Sequence, residues 1–158
     1  MKFKKLLAIL MVASSLTVLA SSPSAFASDY GTTSVGVGDT QAQALDLIPG
    51  VSFTHFLSSP TDEDWFKYTN KSGKFQQLNT HVQPNNGESN FRFGFKYKYR
   101  TASNYDYESD MVYAGFLNSY SAQLIQAIIP PGATAYFKVD STKFGGSQYT
   151  IGLHSSDL

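Results

Sequence analysis

The 158-residue chain contains no cysteine, which excludes disulfide cross-links, thiolate nucleophiles, cysteine zinc sites and lipid attachment through a thiol. Packing and hydrogen bonding must therefore hold the fold together. Charge is scarce as well: Lys, Arg, Asp and Glu supply 15% of the residues and cancel to a formal net charge of zero, so no basic field is present to attract nucleic acid or anionic lipid. No apolar run after Ala20 approaches the ~20 residues that a membrane span needs. The histidines, His55, His81 and His154, are scattered and form no H-E-x-x-H pattern, which removes the usual zinc chemistry and leaves each as a polar strand residue. No G-x-S-x-G elbow occurs, and acyl transfer is left without a recognisable nucleophile.

What is present begins with Lys2, Lys4 and Lys5, followed by the apolar run Leu6 to Val12, small residues to Ala20, and Ala25-Phe26-Ala27. A basic start, an apolar middle and an A-x-A site define a secretory signal peptide, with cleavage expected after Ala27 and the product expected to be secreted and extracellular. Beyond residue 27 the chain carries 9 basic and 12 acidic side chains. Residues 28–40 read as a flexible N-terminal lead-in, and 41–158 as a single domain, expected to be monomeric, with no membrane insertion.

Along that domain only Asp39 to Leu47 has helical character, and Pro49-Gly50 ends it. From Val51 the pattern alternates with period two. Strands are expected at Val51–Phe56, Trp65–Thr69, Lys74–Val82, Asn90–Arg100, Met111–Leu117, Thr134–Asp140 and Gln148–His154. Asn70-Lys71-Ser72-Gly73 reads as a hairpin turn, and Ser121 to Ile129 fits a helix by spacing or a buried strand by residue type. The clearest strand is Asn90 to Arg100, with Phe91, Phe93, Phe95, Tyr97 and Tyr99 on one face and Arg92, Lys96, Lys98 and Arg100 on the other. The whole describes an all-β protein, an antiparallel sandwich of jelly-roll type with about seven to nine strands.

Three motifs in order, Asp62-Glu63-Asp64-Trp65-Phe66-Lys67-Tyr68 with Ser72-Gly73-Lys74, then Pro131-Gly132-Ala133-Thr134-Ala135-Tyr136-Phe137-Lys138-Val139, then Gly146-Ser147-Gln148-Tyr149-Thr150-Ile151, resemble the bacterial pre-peptidase C-terminal domain family. The resemblance runs from Gln41 to Leu153. The strand Asn90 to Tyr97 departs from it by lacking the aspartates that family members usually carry there. The resemblance implies a β-sandwich and a non-catalytic appendage of exported enzymes, in some members a collagen- or carbohydrate-binding module with calcium. The motifs span most of the residues after Ala27, and a stand-alone copy is expected to act as a small secreted binding or accessory protein.

Two acidic sets are candidates for calcium, a hard cation that takes six to eight oxygens. Asp62 and Asp64 lie in the first motif, where the competing reading is that they cap the turn after Pro60. Asp106, Glu108 and Asp110 alternate, which in an extended segment puts them on one face. For ligand contact the candidates are Tyr99, Arg100, Tyr105 and Tyr107, because aromatic rings in a polar segment are hard to bury and suit recognition. The basic residues of the aromatic strand fit an anionic polymer, or protection of a sheet face or edge.

The function these features support is a secreted non-catalytic binding or accessory domain recognising an extracellular polysaccharide or protein. A peptidase-associated chaperone or inhibitor is the alternative from another class, and a small hydrolase using Asp106, Glu108 and Asp110 is a third. Calcium is the only cofactor implied.

Overall fold

The computed structural model describes residues 38–85, 91–115, 123–141 and 148–158. The expected signal peptide 1–27, lead-in residues 28–37, Tyr120 and the Lys143–Gly146 turn lie outside the described residues. Among the described residues a single 3₁₀ turn at Gln41–Gln43 precedes ten strands: β1 Leu45–Asp46, β2 Ser52–Phe56, β3 Glu63–Thr69, β4 Gln76–Pro84, β5 Phe91–Arg100, β6 Asp106–Glu108, β7 Val112–Tyr113, β8 Gln123–Ile129, β9 Thr134–Ser141 and β10 Gln148–Asp157.

The strands form two sheets packed as an all-β sandwich. One runs β1-β3-β9-β5-β6, with β7 also on β5, and the other runs β2-β10-β4-β8. Every pairing is antiparallel except β1 with β3. Apart from the β5-β6-β7 segment, each successive strand lies in the other sheet. Such crossing places the inner side chains of neighbouring strands face to face, which is how a sandwich builds its core.

Period two then decides burial. On β4, Gln76, Leu78, Thr80, Val82 and Pro84 are buried while their neighbours are less so. Phe93 and Phe137, on adjacent strands β5 and β9, stack at 6.0 Å between centroids. Contact between the sheets comes from Phe91 with Tyr149 at 5.1 Å and from His55 with Phe66 at 5.2 Å. Burial pushes the His55 pKa below its usual value, so the ring serves the core as a neutral side chain.

Three sequence expectations are corrected here, and one left open is resolved. Asn70 to Gly73 is not a hairpin turn, because β3 and β4 belong to different sheets. Asp39 to Leu47 is one 3₁₀ turn followed by a strand parallel to β3, since Leu45 and Asp46 pair with Phe66 and Lys67. The ambiguous segment is strand β8, its apolar spacing arising from a two-sided strand with Ile125 and Ile129 buried and Leu124 and Ile128 exposed. Of Met111 to Leu117, only Val112 and Tyr113 are strand among the described residues.

Asn70 joins two crossovers. Its backbone N–H donates to the Ala133 carbonyl and its own carbonyl accepts from the Gly132 N–H, both at 2.9 Å. Its side-chain Nδ2 donates to the carbonyls of Lys74 at 2.7 Å and Pro130 at 3.1 Å, with Ile129 sharing at 3.3 Å, and Oδ1 accepts from the Ser72 N–H and hydroxyl. The residue is fully buried. Gly73 and Gly132, both at φ 77°, let the β3–β4 and β8–β9 connections turn tightly enough to meet at this amide.

Asn70→Ala removes the donor and the acceptor together and leaves buried carbonyls unpaired, so it is expected to destabilise by about 3 kcal/mol or more, read from the urea midpoint. Thr80 poses the opposite case, because its Oγ1 is buried with no hydrogen-bond partner among the described residues. Thr80→Val keeps the shape and removes the orphaned hydroxyl, and the melting temperature is expected to rise by the equivalent of about 1 kcal/mol.

Candidate functional site

The inner face of β5 changes character along its length. Phe91 and Phe93 are buried, whereas Phe95, Tyr97 and Tyr99 are half-buried, so the aromatic face outruns the cover that the opposing sheet supplies. The β5–β6 hairpin extends it. Its three-residue connection is closed by the Thr101 N–H donating to the Tyr105 carbonyl at 2.8 Å, and Asn104 takes φ 60°, a conformation that asparagine tolerates in such loops. This register sets Tyr107 directly across from Tyr99.

Three tyrosine rings consequently touch: Tyr97 and Tyr99 at 6.0 Å and nearly parallel, Tyr97 and Tyr107 at 5.8 Å, Tyr99 and Tyr107 at 5.4 Å. Each such pair contributes about 0.5–1.5 kcal/mol beyond area burial. Tyr107 is 38% exposed, and Tyr105, at the end of the loop, is 67% exposed. Burial, helped by the neighbouring Tyr107 and Tyr99, holds the Tyr97 phenol above its usual pKa, so it keeps its proton and both donates and accepts.

Of the predicted ligand residues, Tyr99 and Tyr107 are brought together and Tyr105 lies at the end of the loop in the same hairpin. Arg100 is not part of the group. Strand alternation turns it to the reverse face, where its Nε donates to Asp106 Oδ1 at 3.1 Å.

That reverse face carries the basic ladder, and it is largely neutralised. Arg92 binds Asp140 with two hydrogen bonds of 2.7 and 2.8 Å, Lys96 pairs with Glu108 at 2.7 Å, and Arg100 pairs with Asp106. Among the described residues only Lys98 of the four lacks an ion pair. The ladder does not guard an edge either, because β5 is flanked by β9 and by β6 and β7. Asp106 and Glu108 are spent on these pairs, and Asp110 lies past the end of β6, so Asp106, Glu108 and Asp110 are not gathered into a cation site. Glu108 sits below its usual pKa, chiefly through the Lys96 hydrogen bond.

The three acids before Trp65 point to three different partners. Asp62 Oδ2 accepts from the Ser58 N–H at 2.6 Å and the Ser58 hydroxyl at 2.7 Å, closing the turn over Pro60 as a capping residue does. Glu63 accepts from the Trp65 indole at 3.2 Å and from Lys138 at 2.9 Å. Trp65, nearly buried, lies on the outer face of its sheet beneath Lys96 and Lys138, whose ammonium groups stand 5.3 and 5.8 Å from the ring centroid. Asp64 is no cap. It is buried and accepts a hydrogen bond from the Tyr149 hydroxyl, linking β3 to β10 across the sandwich.

Asp64 also has company. Asp39, Asp62 and Asp64 bring carboxylate oxygens within 4.8 Å of one another, and Asp39 is held there because the neighbouring Gly38 carbonyl accepts from the Trp65 N–H at 2.7 Å. Sequence reasoning missed Asp39, which no motif connects to Asp62. Three like charges this close must be relieved by a proton or by a cation. Burial raises the Asp64 pKa, the Tyr149 hydroxyl opposes that, and Asp62 and Asp39 add to it, with the result at about 7. A proton on Asp64 therefore relieves the cluster below about pH 7.

No family model matches the chain, and no curated protein matches it. Among solved structures it is similar to the pre-peptidase C-terminal domain of a collagenase from Bacillus anthracis, with a TM-score of 0.49 and 11% sequence identity over 70% of this chain and 93% of that one.

An acid whose pKa is higher in the folded than in the unfolded state binds extra protons between the two values. Its contribution to stability is therefore lost as pH rises from 3.8 to about 7 and stays absent above. The gap in melting temperature between Asp64→Asn and the parent chain is expected to widen in favour of the variant from about pH 4.5 to about pH 8. A calcium-dependent rise at the upper pH that Asp64→Asn abolishes would assign the cluster to a cation instead.

Proposed function

We propose that the chain is a secreted, non-catalytic binding or accessory domain that holds an extracellular polymer, a glycan in the first instance, against Tyr97, Tyr99 and Tyr107, with Tyr105 at the rim. The observation that carries this reading is the contact among the three rings where the inner face leaves the cover of the opposing sheet. Rigid aromatic rings offer large apolar area at low entropic cost, and their hydroxyls supply the polar contacts that orient a sugar. The charges of β5 and β6 lie on the reverse face, where all but Lys98 of the basic residues are paired among the described residues, which favours an uncharged polymer over an anionic one at the tyrosines. Secretion rests on the N-terminal pattern from Lys2 to Ala27.

Retention on a panel of immobilised neutral and acidic polysaccharides, beside a peptide array, tests the proposal. Tyr105→Ala, at an exposed position, is expected to weaken binding severalfold without changing stability. The Tyr99→Ala, Tyr107→Ala double variant is expected to weaken it by about tenfold or more, equivalent to about 1.4 kcal/mol. Arg100→Ala on the reverse face is expected to leave binding unchanged. Equal retention of the parent chain and the tyrosine variants, or binding lost only with Arg100→Ala, would rule the tyrosine face out.

A further inference from the structure

The two outer faces of the sandwich differ sharply in charge. In the β2-β10-β4-β8 sheet, Asp157 at the last position of β10 is the only Lys, Arg, Asp or Glu in any of the four strands, whereas the other sheet carries Lys and Asp or Glu along β3, β5, β6 and β9. An outer sheet face without charge meets a copy of itself with no like-charge repulsion and no ion to strip of water.

Strand β8 closes that sheet. It pairs with β4, and no described residue pairs with its other edge. Edge strands are normally blunted by lysine, proline, a bulge or short length. The first sheet follows this rule, ending in the two-residue β1 on one side and in β6, with Asp106 and Glu108, on the other. β8 does not: its seven residues Gln123–Ile129 hold no charge and no proline, and its outward side chains include Leu124 and Ile128, 40% and 61% exposed.

We propose that β8 is a self-association edge and that its occupant is the β8 strand of a second copy, paired antiparallel about a two-fold axis at Gln126. The outward order Leu124, Gln126, Ile128 is self-complementary about that axis. Leu124 of each copy lies opposite Ile128 of the other, and the two Gln126 amides, each donating one hydrogen to Asn79 Oδ1 at 2.9 Å in its own sheet and keeping a second hydrogen and its carbonyl oxygen, meet between the apolar pairs. The two four-stranded sheets become one continuous sheet of eight strands. β2, at the opposite end, is the weaker edge, with five residues and Ser52 and Thr54 turned outward.

Sedimentation equilibrium of the purified protein over about a thousandfold range of concentration tests this, since a dimer forms by mass action. The mass is expected to rise from one chain to two and stop there. Ile128→Lys and Gln126→Lys are each expected to shift the dissociation midpoint to at least about tenfold higher concentration, with circular dichroism and melting temperature showing that the fold persists. Thr54→Lys on β2 is expected to leave association unchanged. A mass of one chain at every concentration, association that survives both β8 variants or is lost with Thr54→Lys, or growth past two copies, which is the signature of head-to-tail pairing of β8 with β2, would each overturn the proposal.

Discussion

The buried amide of Asn70 is the constraint on which the rest of the sandwich depends. With no cysteine in the chain, no disulfide cross-links the two sheets, and the chain passes between them at nearly every step. Each passage leaves backbone groups without a sheet partner, and a buried unpaired carbonyl is costly. Asn70 satisfies carbonyls from the β3–β4 and β8–β9 connections with one side chain, so the two crossovers are fixed against each other. β3 and β9 in one sheet, and β4 and β8 in the other, inherit their registers from that point.

Two further consequences follow from the registers. The short hydrogen-bonded reach from Asp64 on β3 to Tyr149 on β10 ties the sheets together elsewhere in the sandwich, at the expense of holding a carboxyl where it resists ionisation. The length of β5 relative to its cover carries the tyrosine face outward while Phe91 and Phe93 remain in the core. Structural and recognition roles thus share one alternating strand, separated only by how far along it a residue lies.

Much of this was legible in the sequence. Period two, turn residues and the aromatic alternation of Phe91 to Tyr99 announced an all-β sandwich because side-chain direction in a strand is a local property. Asp62 was readable as a turn residue for the same reason, since its partner Ser58 is four positions away. Tyr99 and Tyr107 stood out because aromatic rings in a polar segment are hard to bury, though their contact was not foreseeable before the hairpin register was known.

The sequence by itself determined which side chains share a face, and that no cross-link or familiar catalytic motif is available. Only the tertiary structure decided which sheet each strand joins. That choice made Asn70 to Gly73 a crossover instead of a hairpin, brought Asp39 beside Asp62 and Asp64, and turned the basic ladder into ion pairs with Asp106, Glu108 and Asp140. The physical reason is that pairing between strands distant in the chain is set by how the whole core closes, and alternation along one strand carries no record of its partner.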